Sequence, residues 1–205
     1  MILEVHPVNP QTRHIQTIVN VLEKGGVIIY PTDTIYGLGC SIRQPKAIEL
    51  ICRIKNIPCD KARLSFICYD LSDLSRYTKP IPTSVYRVLK SYLPGPFTFI
   101  LPASREVPKI LKSKKETIGI RIPDNLIART IIKELGHPIL STSLPGENVE
   151  DYTDPLMMND HFGKQVDMIV DGGIGGSVPS TVIDYTRDEP IVIREGVGRF
   201  LISSS

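Results

Sequence analysis

The chain has 205 residues, 41% of them hydrophobic, which fits one globular domain able to bury a full core, or at most two small ones. There is no internal repeat, no low-complexity linker, no cationic start followed by a long apolar run, and no segment near the roughly 20 apolar residues that cross a bilayer. The expectation is a single cytoplasmic domain over residues 1–205 with no membrane partner. The net charge of +2 hides an asymmetry, with 15 Lys/Arg against 5 Asp/Glu in residues 43–115 and 7 against 14 in residues 116–205. This fits either an anion-binding face, for nucleic acid or nucleotide phosphate, or ordinary charged helix exteriors.

In chain order, Asn9-Pro10 offers an N-cap and a first-turn proline for a helix with the apolar stripe Ile15, Ile18, Val19 and Leu22, terminated by Gly25. The β-branched run Val27–Tyr30 predicts a central strand. Pro45 opens a second helix carrying Ile48, Ile51 and Ile54, which ends near Lys55 and leads to a strand over Leu64–Cys68. Pro82 opens a third, with Val85, Val88 and Leu89. Further strands are expected at Phe97–Leu101, Thr117–Ile122, Pro138–Ser141, Val166–Val170, Thr181–Tyr185 and Ile191–Arg194. Between them, Asp124 caps a helix through Leu126, Ile127, Ile131 and Leu135, closed by Gly136. The mixture predicts an α/β or α+β fold on a twisted mixed sheet flanked by helices, not a purely parallel sheet.

The most informative stretch is Gly25 to Ser41, where the buried-strand pattern runs directly into hydroxyls and glycines. Pro31 removes a backbone donor, Thr32, Thr34 and Tyr36 offer hydroxyls, and Gly37 and Gly39 permit close approach to the main chain. That composition suits a polar, phosphate-bearing ligand; the alternative is an ordinary strand-to-turn transition. Asp33 shows no base role and reads as a cap for the turn. Cys40, Cys52, Cys59 and Cys68 contain no Cys-x-x-Cys pair and read as reduced core thiols rather than disulfides or a metal cage. His6, His14, His137 and His161 lack metal-ligand spacing and read as surface or loop residues, so no protein-held metal is expected. The run Lys109, Lys112, Lys114, Lys115 reads as a solvated loop.

Six segments then fall into a known order: Tyr30–Gly39 (Tyr-Pro-Thr-Asp-Thr-Ile-Tyr-Gly-Leu-Gly), Leu93–Leu101, Ile118–Asp124, Leu140–Ser143, Pro179–Asp184 and Ile193–Gly196. Together they resemble the motifs of the YrdC-like, or threonylcarbamoyl-AMP synthase, family across about Ile15 to Gly196. The resemblance implies a twisted α/β sheet with a concave basic cavity. It also implies an activity, synthesis of threonylcarbamoyl-AMP and pyrophosphate from threonine, bicarbonate and ATP, used to modify an adenosine beside the anticodon of certain tRNAs. Double-stranded RNA binding is attributed to such domains as well. Carried over by motif, Thr32, Thr34 and nearby Tyr36 would contact the threonine or carbamoyl part, and Arg121 would pair with a carboxylate or phosphate. Ser141 and Ser143 would bind phosphate or the threonyl group, Ser180 and Thr181 would line the nucleotide side, and Arg194 would close the cavity near the phosphates. Any magnesium would be held chiefly by the ATP phosphates. For Arg121, a structural ion pair at a strand end is the competing reading.

Two departures bear on activity. Where the family's synthases carry Lys-x-Arg, this chain reads Lys55-Asn56-Ile57; where they carry Ser-x-Asn, it reads Ser143-Leu144-Pro145. Loss of an arginine facing developing phosphate charge costs about 100-fold or more in rate. Lys61 and Arg63 are candidates to substitute in part. The departures resemble the YciO-type branch and put synthase activity in question. Two alternatives therefore stand beside a nucleotide-handling enzyme: a threonylcarbamoyl-AMP hydrolase and a double-stranded RNA-binding module for tRNA or rRNA.

Overall fold

The structure is a computed structural model and describes residues 1–108, 116–146, 152–187 and 189–201. The lysine run at 109–115 lies outside the described residues. Among them, ten strands form one mixed sheet: β1 (Ile2–Glu4), β2 (Val27–Tyr30), β3 (Gly37–Ser41), β4 (Ser65–Ile67), β5 (Phe97–Pro102), β6 (Thr117–Arg121), β7 (Ile139–Ser143), β8 (Met168–Asp171), β9 (Thr181–Asp184) and β10 (Ile191–Arg194). Their spatial order is β1-β8-β2-β3-β7-β4-β6-β5-β9-β10. Parallel pairs such as β4 with β6 and β5 with β9 alternate with antiparallel ones such as β2 with β3, β3 with β7 and β5 with β6. The helices are α1 (Thr12–Glu23), α2 (Pro45–Ile54), α3 (Leu74–Tyr77), α4 (Thr83–Tyr92), α5 (Leu126–Leu135) and α6 (Pro155–Phe162).

Side-chain alternation along the strands divides the molecule into two apolar layers. On one face, Ile29, Leu38, Phe66, Phe99, Ile120 and Leu140 pack against α2, α3, α4 and α6. On the other, Ile28, Tyr30, Ile67, Ile139, Met168 and Val170 meet the stripes of α1 and α5. That second layer covers only part of its face. Farther along, the same face presents Ser65, paired with both Ser141 and Gly119, then Ser143, paired with Gly37. Ser65, Gly119, Ser143, Ile100 and Val182 are only half-buried, whereas their alternating neighbours Phe66, Ile120, Phe99 and Ile183 are sealed. The uncovered half is therefore open, polar at Ser65 and Ser143 and apolar at Ile100 and Val182.

Local details depart from the sequence reading in three places. Gly37–Ser41 is not part of a loop but the strand β3. A Cβ at Gly39 would lie 2.9 Å from Tyr30 Cε1 and 2.7 Å from Ile139 Cγ2, and one at Gly37 would lie 2.9 Å from Ser141 Oγ. These glycines make room for the Tyr30 ring rather than for a ligand. The caps also shift: α1 starts after Gln11, because His6 Nδ1 accepts the Val8 and Asn9 N–H groups in a preceding turn, and α5 is capped by Asn125, whose Oδ1 accepts from Ala128 N at 3.0 Å. His137 is buried, with Nε2 3.5 Å from Ser41 Oγ.

Not all of the cysteines are reduced. Cys40 and Cys68 are buried free thiols, but Cys52 and Cys59 form a disulfide. The turn after α2, with Asn56 at φ 52° and Pro58 beyond it, folds the chain back and brings the two Cα atoms to 5.4 Å, inside the range a disulfide spans. A spacing of seven residues conceals this unless the turn is foreseen.

Replacing Gly39 by Ala should destabilise the fold by about 1–3 kcal/mol through overpacking against Tyr30 and Ile139. Urea unfolding followed by circular dichroism checks this, and an unchanged midpoint contradicts it.

Candidate functional site

The open face is organised around Arg121, the last residue of β6 and only 7% exposed. Its Nη2 donates to Asp33 Oδ1 at 2.6 Å, Thr34 Oγ1 at 2.8 Å and Thr32 Oγ1 at 3.2 Å. All three acceptors come from the short loop between β2 and β3. Thr32 Oγ1 also donates to Ile35 O and accepts the Thr34 N–H, so the loop is wound about its own hydroxyls. Asp33 is thus the counter-charge of Arg121 rather than a turn cap. Arg121 Nε and Asp33 Oδ2 are buried without a hydrogen-bond partner among the described residues. The ion pair foreseen as a competing reading is present, and it stands inside the open face rather than away from it.

A second cation borders the same face. Lys55, at the end of α2, extends Nζ to Ser143 O and Leu144 O, each at 3.0 Å, and to Ser143 Oγ at 3.4 Å. Burial lowers its pKa from the ordinary lysine value. The ammonium ties the turn after α2 to the turn after β7, the two segments that depart from the synthase motifs.

The third cation closes the far side. Arg194 is exposed as a residue, yet its Nη2 donates to Ser180 O at 2.7 Å and Ser180 Oγ at 3.3 Å. Ser180 Oγ in turn lies 3.0 Å from Thr98 Oγ1. Partial burial of the guanidinium, and then repulsion from Arg121, lower its pKa below the usual arginine value. The two guanidinium groups therefore feel each other across the face, and an anion between them relieves that repulsion.

Other predicted residues are placed differently. The Ser141 hydroxyl is buried, accepting from Tyr30 OH at 2.8 Å and donating to Leu38 O at 3.3 Å. Burial pushes the Tyr30 phenol up to about 12, so it stays a donor. The Tyr36 hydroxyl is spoken for, donating to Gly173 O at 2.6 Å and accepting the Gly172 N–H at 3.1 Å. Thr181 pairs with Phe97 and so faces the opposite layer, where its hydroxyl holds Gly196 N and Gly198 O. That geometry turns it away from the open face. Lys61 and Arg63 are exposed, and no hydrogen bond among the described residues joins them to this group. Thr98 lies inside the Leu93–Leu101 motif without a role assigned to it there, and Ser65 lies in no motif; both stand on the open face. Among the described residues, no group of three or more His, Cys, Asp or Glu is placed to hold a metal, and no helix is long and apolar enough to cross a membrane.

A twisted mixed sheet whose half-open face carries Lys55, Arg121 and Arg194 among hydroxyls is the arrangement expected of a YrdC-like domain. Residues 20–196 match the Sua5/YciO/YrdC family, whose profile carries the description "Telomere recombination", and the chain belongs to that family. It is 47% identical over 197 residues to the uncharacterized protein YciO of Escherichia coli K12, covering 95% of this chain and 94% of YciO. The crystal structure of E. coli YciO superposes with a TM-score of 0.90, covering 97% of each chain. The Pyrococcus abyssi Sua5 structure, complexed with L-threonine, is 28% identical with a TM-score of 0.85, covering 96% of this chain and 57% of Sua5. Threonylcarbamoyl-AMP synthase of Halorhodospira halophila is 29% identical over 85% of this chain and 86% of its own.

Substituting Asp33 by Ala leaves the Arg121 charge buried without its counter-ion and should cost about 3 kcal/mol or more of stability. Chemical denaturation of the variant measures this; a loss within the error of the wild type would show that the pair is not the anchor of the loop.

Proposed function

We propose that the open face binds ATP or an adenylate together with threonine, and that the chain handles threonylcarbamoyl-AMP in the pathway that modifies tRNA. The observation that carries this reading is the bordering of one hydroxyl-lined face by Lys55, Arg121 and Arg194. Nucleotidyl transfer needs little covalent chemistry from a protein. Reactants are held in line, and developing negative charge is met by fixed donors. Arg121 and Arg194 supply planar forks for phosphate or carboxylate oxygens, which a lysine does not reproduce. Thr32, Thr34 and Ser143 supply orienting hydroxyls for the threonyl or carbamoyl part, and Ser180 sits on the nucleotide side. A magnesium ion would enter with the ATP phosphates. The compartment this requires is the cytoplasm, where ATP, bicarbonate, threonine and tRNA meet.

Ile57 and Pro145 bear on which of two different reactions, adenylate synthesis or adenylate hydrolysis, the face supports. Without the arginine and the amide of the synthase motifs, the forward synthesis loses about 100-fold, while binding of a finished adenylate and its hydrolysis demand less of that corner. A second reading rests on the excess of basic residues between positions 43 and 115. Structured RNA held there through phosphates and 2′-hydroxyls would bind with a steep salt dependence.

The deciding measurement is pyrophosphate release from ATP, with and without threonine and bicarbonate, coupled to mass detection of threonylcarbamoyl-AMP. Slow release needing all three substrates is the expected result. Conversion of added threonylcarbamoyl-AMP to AMP by water, with no pyrophosphate release from ATP, assigns the hydrolase instead. Arg121→Ala and Thr34→Ala should each weaken adenylate binding at least tenfold, and unchanged affinity in both would place the ligand elsewhere.

A further inference from the structure

The Cys52–Cys59 disulfide lies at the C-terminal end of α2, in the turn whose Lys55 reaches the open face at Ser143. It closes a ring that contains Lys55, Asn56, Ile57 and Pro58. Within that ring the Ile57 N–H donates to Cys52 O at 3.1 Å, and the Lys55 N–H donates to Ile51 O, just before the ring, at 2.9 Å. The Lys55 side chain leaves the ring to grip Ser143 O and Leu144 O. Both sulfur-bearing residues line an open cleft of about 430 Å³, with Glu49, Arg53 and Asn56 beside them.

We propose that Cys52–Cys59 is a thiol-exchange site for low-molecular-weight thiols, and that its redox state sets how firmly Lys55 holds the turn at Ser143 and Leu144. Cys59 is half-buried and Cys52 buried, so attack comes at Cys59 from the cleft. The thiolate of the small thiol forms a bond to Cys59 Sγ while the Cys52–Cys59 bond breaks. Cys52 leaves with the electron pair and takes a proton. A second small thiolate attacks the mixed disulfide at the sulfur of the first thiol, releasing Cys59 as a thiolate that is then protonated. The protein disulfide is reduced by two electrons, and two small thiols are oxidised to their disulfide. The cationic Arg53 favours an anionic thiol at the mouth of the cleft. Cys59 is partly open to the cleft, and a disulfide that small thiols can reach is more labile than a sealed one, which suits a switch better than a permanent staple.

The remaining cysteines make the site readable. Cys40 and Cys68 are buried, and burial raises the Cys40 thiol to about 12 and the Cys68 thiol well above its ordinary range. Native alkylation therefore reports on Cys59, which meets the cleft, and on Cys52 only where opening of the disulfide exposes it.

The test treats the folded protein with reduced glutathione, alkylates without denaturant, locates the label by mass spectrometry, and follows amide hydrogen exchange. The expected result is labelling of Cys52 and Cys59 only after glutathione, with amide exchange across residues 55–57 and 143–146 faster by about tenfold. The Cys52→Ser/Cys59→Ser double variant should show the faster exchange with or without glutathione. A disulfide that native glutathione does not open, or labelling with no change in exchange, overturns the proposal. Its effect on adenylate affinity, about threefold, rests on the proposed function. Absence of adenylate binding in both redox states would overturn that function alone, since neither labelling nor exchange needs a ligand.

Discussion

A guanidinium taken out of water at the end of a central strand must be met by negative charge and by acceptors, or the strand end does not stay buried. Arg121 meets this constraint through one nitrogen, Nη2, which reaches Asp33, Thr32 and Thr34 at once. The shape of the loop and the position of the cation are consequently one property. Three acceptors from three consecutive residues converge only if the loop curls as it does, and it curls because Thr32 also binds Ile35 O. The satisfaction is incomplete, with Arg121 Nε and Asp33 Oδ2 left over. A network with spare polar atoms is where a polar ligand offsets desolvation most readily.

The strands with β-branched or aromatic runs were legible in sequence to within a residue or two, because their pattern is local. β3 was not legible, because its glycines answer to the Tyr30 ring and to β7, partners that local composition does not display. β1, three residues long, gives too short a pattern to read, and α6 mixes apolar and polar residues without a clear stripe. In the site, Thr32, Thr34, Lys55, Arg121, Ser143, Ser180 and Arg194 are brought to the open face, and all were visible through motif order. The Asp33–Arg121 pair was hidden by its separation of 88 residues, and the disulfide by a turn that neither cysteine announces.

The two departures from the synthase pattern are not scattered. Ile57 follows Lys55 by two positions and Pro145 follows Ser143 by two, and the Lys55 ammonium joins the two turns directly. Divergence is concentrated in one corner of the face. The opposite corner keeps Arg121 with its loop and Arg194 with Ser180 and Thr98.

The loop that holds Arg121 is itself held from far along the chain. Gly176 N–H donates to Thr34 O at 2.9 Å, and the Tyr36 hydroxyl is clasped between Gly172 and Gly173, 136 and 137 residues away. One wall of the face therefore exists only after the segment following β8 has been made and docked. Contacts of such long sequence range form late, since their loop-closure entropy must be met before they stabilise anything. During synthesis the nascent chain carries the Thr32–Tyr36 loop for most of its length without the clasp that shapes it. The shape of this wall is thereby a property of the finished chain, and no fragment ending before β8 can hold it.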